Sequence, residues 1–426
     1  MQRIIKNNLL NYISRDFIKE KITNPARIFD FNDKKIKDGS IVYLCEREVR
    51  VNDNFALKFA LNKAKELNQK LTIIHPLIKY HSILKKEFLN KQIEQAVQNF
   101  KHIGLEMVLF DGDKNKLLQY LEQINTGLLI FDFNPILNRS YLKNIDCKII
   151  EIDGHNIIPV RYLSDKQEYN AATIRRKIYY NIAPFLTEFE NAKLLNNNAE
   201  IVLENFIKEK LPYYAEYKNN PTKNVLSGLS GYLNLGFISS QRVALEVIKA
   251  DVSDYNKEIF LEELIIRKEL SDNFCLYCKR FKTLNCIPDW AKQTLKTHQK
   301  DLRTFIYSKE ELENAKTNDN LWNATQIQLL KEGIIHGYLR MYWAKKILQW
   351  TPTPQHALDI AIYLNDKYAV DAPSPNGYVG ILWAIGALHD RAFQDRFITG
   401  KIRTMTYNSM KSKFDIDSYI SKYNKL

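Results

Sequence analysis

The sequence predicts an α/β domain with a parallel sheet, followed by an all-α domain. Three observations carry that prediction. Short β-branched or aromatic runs alternate with longer mixed segments between about residues 40 and 155, and apolar residues recur at helical spacing from about Leu226 onward. The 426 residues, 45% of them hydrophobic, suffice for two domains, each with its own core.

The runs are Ile41-Val42-Tyr43-Leu44, Leu71-Thr72-Ile73-Ile74, Glu106-Met107-Val108-Leu109-Phe110, Leu128-Leu129-Ile130-Phe131 and Lys148-Ile149-Ile150-Glu151-Ile152. Each is short and β-branched or aromatic, as strands of a buried parallel sheet are. Between them, Asn54 to Leu67 and Lys86 to Ile103 place apolar residues at helical spacing. No glycine-rich phosphate loop follows the first strand, so the usual dinucleotide fingerprint is absent. After Asp153-Gly154-His155 the chain becomes polar and Asn-rich, and Asp165 to Glu216 reads as a long connection wrapped over the first domain. Beyond it, Ser308-Lys309-Glu310-Glu311 spells a capping box. Thr353 before Pro354 is a helix start, followed by the apolar stripe Ala357, Ile360, Ala361 and Leu364. The expected division is an N-terminal extension at 1–38, the α/β domain at 39–162, the connection at 163–216 and the helical domain at 217–426.

The formal net charge of +13 suits either a solvated basic surface or a polyanionic partner. The final part, Trp322 to Leu426, shares the excess, with 13 Lys+Arg against 8 Asp+Glu. No stretch is long and apolar enough for a membrane span, and Met1 to Asn8 lacks the apolar core of a secretory signal. Five cysteines make no disulfide framework, which suits a reducing, cytoplasmic compartment. Cys275, Cys278, Cys286 and His298 hold only one tight ligand pair, so unpaired thiols in a loop, and no metal, are expected.

The most specific text lies between Leu321 and Asp390, which holds four of the five tryptophans. It reads Leu321-Trp322-Asn323-Ala324-Thr325-Gln326, then Gly337-Tyr338-Leu339-Arg340-Met341-Tyr342-Trp343-Ala344-Lys345-Lys346 and on to Trp350. A third block has Leu364-Asn365-Asp366, Asp371, Asn376-Gly377-Tyr378, Trp383 and His389-Asp390-Arg391. Aromatic groups able to pass electrons, beside cations, suggest redox chemistry on a flat, anionic cofactor. Trp343 and Trp350 lie seven residues apart, on one helix face and about 10 Å apart along its axis, a spacing that two core aromatics would also satisfy.

Together these blocks closely resemble the class II cyclobutane pyrimidine dimer photolyases. The likeness runs from about Ile41 to Asp415. It implies a light-driven, DNA-binding repair flavoprotein, a carbon–carbon lyase with an antenna-type α/β domain and a helical domain that binds FAD. A deazaflavin is the antenna chromophore it suggests, and the expected partner of the monomer is damaged double-stranded DNA. A cryptochrome-like photoreceptor is the alternative on the same fold, and a non-catalytic nucleic-acid-binding module is a third.

By this resemblance Trp343 stands nearest the flavin, Trp322 is the middle relay and Trp350 the outer end of an electron chain. Arg340 and Asp371 form an ion pair beside the flavin ring, and Asn365 faces the ring nitrogen whose protonation changes. Leu226-Ser227-Gly228-Leu229-Ser230-Gly231 matches the phosphate-binding word, so Ser227, Gly228, Leu229 and Ser230 are cofactor candidates, with Tyr217 beside them. In Glu262-Glu263-Leu264-Ile265-Ile266-Arg267-Lys268, Glu263 reads the pyrimidine edges. Met341 and Trp383 pack on the paired bases, and Arg391 meets DNA. The chain departs from the family at Gly231, where Pro is usual, at Asn234, where a bulky polar ring is usual, and at Phe393, where Trp is expected.

Overall fold

The computed structural model describes residues 8–13, 16–20, 22–190 and 197–424. The reading of the N-terminus as lacking a signal rests on residues that, apart from Asn8, lie outside these.

The five runs all form strands. The sheet consists of β1 (Ile28–Asp30), β2 (Ser40–Leu44), β3 (Leu71–Pro76), β4 (Met107–Phe110), β5 (Thr126–Asp132) and β6 (Lys148–Ile152), in spatial order β1-β6-β5-β2-β3-β4. All neighbours are parallel except β1, which pairs antiparallel with β6 at the edge. Period two divides the central residues between faces. Ile41, Tyr43, Leu128 and Ile130 join one apolar core; Val42, Leu44, Leu129 and Phe131 join the other. Helices α1 (Phe55–Leu67) and α2 (Ile83–His102) cover the first face and α3 (Lys114–Gln123) the second. Each has a side-chain N-cap, Asn54, Ser82 and Asp113 respectively.

Two stretches expected as extension and connection take part in the cores. Arg27, just before β1, is buried and donates to the carbonyls of Asp153, Asn156 and Ile157. Helix α4 (Ala171–Asn181) and the segment to Tyr214 bring Ile174, Ile178, Ile182, Leu203 and Phe206 into one core with Leu229, Val243, Leu261 and Leu270. A polar surface around a narrow apolar stripe makes such a segment resemble a linker.

The rest is helical, as expected: α5 (Ser240–Lys249), α6 (Lys268–Tyr277), α7 (Asn320–Glu332), α8 (Gly337–Trp350), α9 (Pro354–Tyr368) and α10 (Pro375–Gly386). Both exchanges of the capping box at Ser308 and Glu311 are present, and Thr353 caps α9. Among the described residues no helix is long and apolar enough to cross a membrane.

The two domains are fastened by buried polar contacts. Arg47 meets Asp272 at 2.8 Å, both almost wholly buried. Lys85 of α2 donates to the carbonyls of Asp366 (2.8 Å) and Ala372 (2.5 Å). Lys268 donates to the His155 carbonyl (2.7 Å), and Glu269 accepts from the amides of Ile157 and Ile158. Burial drives the Lys268 ammonium below its ordinary range and raises the Glu269 carboxyl to about 8.

Candidate functional site

A cavity opens between the domains. Its wall includes Ser227, Ser230, Asp371 and Asn376 from the helical domain and Arg47 and His155 from the α/β domain. Ser227 and Ser230 sit at the start of the short helix Ser230–Asn234. Gly228 has φ +73°, a left-handed conformation natural to glycine, and Leu229 is buried with its amide donating to Ser227 Oγ (3.3 Å). Gly228 and Leu229 therefore shape the turn, and the two serines line the cavity. The two serine hydroxyls line the same cavity as Arg47 and Lys268, a donor set suited to a diphosphate.

Arg340 of α8 bonds both carboxylate oxygens of Asp371 at 3.2 Å, at the cavity rim. Buried Asn365 lies behind that rim, its amide donating to Asp366 (3.2 Å) and packed against Gly377. Tyr217 is outside the lining, near the Lys223 ammonium; Tyr214, about one turn earlier, lines the cavity instead. Two departures find partners. Gly231 leaves room for Phe88 of α2 and Val370, which a Cβ would approach to 3.0–3.1 Å. Asn234 donates to the Pro373 carbonyl (3.2 Å).

Glu263 lies in a wider, π-helical segment, Glu262–Arg267, that joins the helix Asp254–Leu261 to α6. Successive residues there face different ways. Glu262 is held by Arg175 at 2.6 and 3.1 Å, whereas half-exposed Glu263 lines the cavity and accepts from Lys218 (2.8 Å).

The three tryptophans form one contiguous array. Trp322 and Trp343 are parallel within 2°, centroids 6.4 Å apart, and Trp350 meets Trp322 edge-on at 5.6 Å. Trp322 thus touches both others. Trp343 Nε1 donates to Gln326 Oε1 (2.9 Å) and Trp322 Nε1 to the Trp343 carbonyl (3.0 Å). Trp322 and Trp343 are wholly buried, whereas Trp350 borders an open groove with Phe305, Lys346 and Tyr407.

Met341, Trp383 and Arg391 stand apart from the cavity lining. Met341 is half-buried against the helical core. Half-buried Trp383 has Lys345 Nζ 4.8 Å from its ring centroid and Arg403 at 5.6 Å. Arg391 is exposed, over Phe393 at 5.2 Å, and Asp390 is bound by Arg403. Phe393 is covered by Arg403 as well, at 4.3 Å.

Lys345 donates to the Ala384 carbonyl (2.8 Å), and burial lowers its ammonium to about 7. The unfolded chain then holds a proton that the folded chain releases above neutrality. Stability should therefore rise from pH 7 toward the ordinary lysine range. Lys345→Met is expected to flatten that rise in melting temperature, followed by circular dichroism; an unchanged pH profile would show that Lys345 keeps an ordinary titration.

Sequence reasoning missed Arg47, His155, Lys268 and Asp272, which line the cavity. Their signal was a charged word in each domain, but nothing local tells that the words meet. The cysteines are free; Cys275 lies within α6, whereas Cys278 follows its last turn and Cys286 lies in a short 3₁₀ turn of the connection beyond it. No three His, Cys, Asp or Glu side chains among the described residues are grouped to hold a metal.

A second cavity lies at the C-terminal ends of β2, β3 and β5, lined by Glu46, His75, Tyr80 and Asn134 among others. Arg47, Asn234 and Pro375 line both cavities.

No family model matches the chain. Among solved structures it is similar to a class III photolyase from Agrobacterium tumefaciens (TM-score 0.68, 16% identity, 92% of this chain and 88% of that one). It is also similar to a cryptochrome of Synechocystis (TM-score 0.70, 13% identity, 90% and 88%). At such identities the likeness shows the fold alone. The sequence is 38% identical to the deoxyribodipyrimidine photo-lyase of Potorous tridactylus, over 90% of this chain and 81% of the relative. For the Arabidopsis thaliana enzyme of that name the figures are 36%, 91% and 89%, and for that of Methanothermobacter thermautotrophicus 33%, 92% and 96%. With the fold shared and relatives of one name matched along nearly their whole length, the chain belongs to the deoxyribodipyrimidine photo-lyase family.

Proposed function

We propose that this chain splits cyclobutane pyrimidine dimers in damaged double-stranded DNA, as a cytoplasmic monomer, using light absorbed by reduced FAD held in the larger cavity. The observation that carries the reading is Glu263, which lines the cofactor cavity and still faces solvent. A carboxylate at that mouth can accept hydrogen bonds from a pyrimidine turned out of the duplex, and photolyases are among the base-flipping enzymes. A photoreceptor without a DNA substrate has no use for it there.

FAD, when bound and reduced, supplies the electron that opens the cyclobutane ring. The residues around the cavity prepare the site. Ser227, Ser230, Arg47 and Lys268 are the groups to hold the diphosphate, Arg340 with Asp371 sets the charge beside the ring, and Asn365 supplies an adaptable amide. Trp350, Trp322 and Trp343 carry electrons inward from the groove to restore the reduced state. Met341 and Trp383 are assigned to the bases and Arg391 to DNA. The second cavity, at the carboxyl ends of the parallel strands, is the place proposed for an antenna deazaflavin.

Reduced protein incubated with a dimer-containing oligonucleotide is expected to restore thymine absorbance in light and not in the dark. Recovery in neither condition would favour the photoreceptor.

Glu263→Ala should weaken binding of damaged duplex by about tenfold or more, the value of one charge-assisted hydrogen bond at about 1.5–3 kcal/mol. Undamaged duplex and the salt dependence should be unaffected. Arg391→Ala should reduce the slope of affinity against salt, because binding with one phosphate contact fewer releases fewer counterions. A salt series on both DNAs reads both changes. Equal losses on damaged and undamaged DNA would remove Glu263 from lesion reading.

A further inference from the structure

His298 has no part in the cavity or the tryptophan array, yet both nitrogens of its ring are engaged. It opens the 3₁₀ turn that follows the helix Asp289–Thr297. Its Nδ1 lies 2.6 Å from Asp301 Oδ2, and its Nε2 lies 2.8 Å from Asp395 Oδ1. A carboxylate accepts hydrogen bonds and has none to give, so a ring bonded to one at each nitrogen carries both protons. The geometry is that of an imidazolium held between two carboxylates.

Asp395 belongs to the loop from Asp390 to Arg403, which folds back on itself. The Phe393 amide donates to the Lys401 carbonyl (2.9 Å), and Arg396 and Gly400 exchange backbone bonds at 3.1 and 2.7 Å. The tip of this loop is fastened to the same helix end as His298. The Ile398 amide donates to Asp301 Oδ2 (2.7 Å) and the Lys401 amide to Thr294 Oγ1 (3.0 Å). Ile398 has φ +68°, a conformation costly for a β-branched side chain and kept only where the surroundings impose it. Near its start the loop carries Arg391, whose guanidinium lies over the Phe393 ring. The grip on the tip is thus connected, through the paired backbone of Phe393 and Lys401, to the residue assigned to DNA.

We infer that His298, in its charged form, is a positioning residue for DNA binding: it clasps the tip of this loop and thereby holds Arg391 toward the duplex. This rests on the assignment of Arg391 to DNA. Asp301 foremost, with Asp395, raises the ring above its ordinary range, and the Ile398 amide keeps the Asp301 carboxyl low. The clasp is therefore complete below that raised value and is lost as pH climbs through it, when one N–H disappears and one carboxylate is left facing a lone pair. Asp395, half-exposed, is the partner released, because Asp301 keeps the Ile398 amide as a second donor. The other charges around the clasp are Arg303, which donates to the carbonyls of Gln299 and Asp301, and the exposed Lys296, Lys300, Arg396 and Lys401. Their contribution is common to the parent and a His298→Gln variant, so the comparison of the two isolates the ring.

The test uses the full folded chain. The ring protons of His298, identified by their loss in His298→Gln, should titrate by NMR above the ordinary histidine value of about 6.5, and Asp395→Asn should lower the midpoint. Hydrogen exchange of the 393–403 peptide, read by mass spectrometry without flavin or DNA, should be about fivefold faster or more in His298→Gln at neutral pH, and the two proteins should converge above the midpoint. At neutral pH His298→Gln should bind damaged and undamaged duplex about fivefold more weakly than the parent, the scale of one phosphate contact, and again the two should converge at high pH. A merely structural histidine would give differences that do not depend on pH. The inference is overturned if the midpoint lies at or below the ordinary value, or if the exchange ratio is the same at every pH. It is also overturned if His298→Gln binds DNA like the parent while Arg391→Ala lowers the salt slope. An unchanged slope in Arg391→Ala would remove Arg391 from the DNA contacts and this inference with it, whatever the exchange data show of the clasp.

Discussion

Trp343→Phe is expected to abolish light-driven reduction of oxidised flavin while leaving repair by chemically reduced protein intact. Phenylalanine is far harder to oxidise than indole, and Trp322 meets Trp343 face to face at 6.4 Å, so removing Trp343 breaks the array at its proposed inner end. The substitution also leaves Gln326 Oε1 without its indole donor, a buried loss of about 1–3 kcal/mol that the fold should survive. The measurement is flavin absorbance under illumination with an external reductant, beside dimer repair after dithionite treatment. Photoreduction at the parental rate would make Trp343 a core aromatic and nothing more.

Asp272→Ala should destabilise the protein by about 3–5 kcal/mol, because Arg47 would be left charged and buried without its carboxylate. Lys268, whose ammonium lies 3.9 Å from the other carboxylate oxygen, would lose a neighbour as well. Urea unfolding followed by circular dichroism gives the number. The double change Arg47→Met with Asp272→Leu should stand closer to the parent than Asp272→Ala alone, since it removes the stranded charge. A single-variant loss below about 1 kcal/mol would place the pair among weakly contributing contacts.

These expectations draw on features that were unequally legible. The strands were readable because runs such as Leu128 to Phe131 are apolar on both faces, which only a covered sheet tolerates. The tryptophan array and the Ser227–Ser230 turn were found by their spelling. That Trp322 lies between Trp343 and Trp350 is a matter of helix packing, which their positions in the chain do not reveal. The cavity floor was beyond local reading: Arg47 and Asp272 are separated by 225 positions and become partners only when the domains meet. Tyr217 and Tyr214 are equally plausible by type, and the rotation of one short helix decides which faces the cavity. The buried stripe of Ile174, Ile178 and Ile182 was masked by the charges around it.

The larger cavity draws Arg47 and His155 from one domain and Ser227, Ser230 and Asp371 from the other. It does not exist in either domain alone, so a group that fills it binds the assembled protein and has no comparable site on the unfolded chain. Mass action then makes cofactor supply a determinant of how much protein stays folded: occupancy at a hundred times the dissociation constant adds about 2.7 kcal/mol. A cell short of the cofactor would accordingly lose the polypeptide itself to unfolding and turnover, not merely its activity.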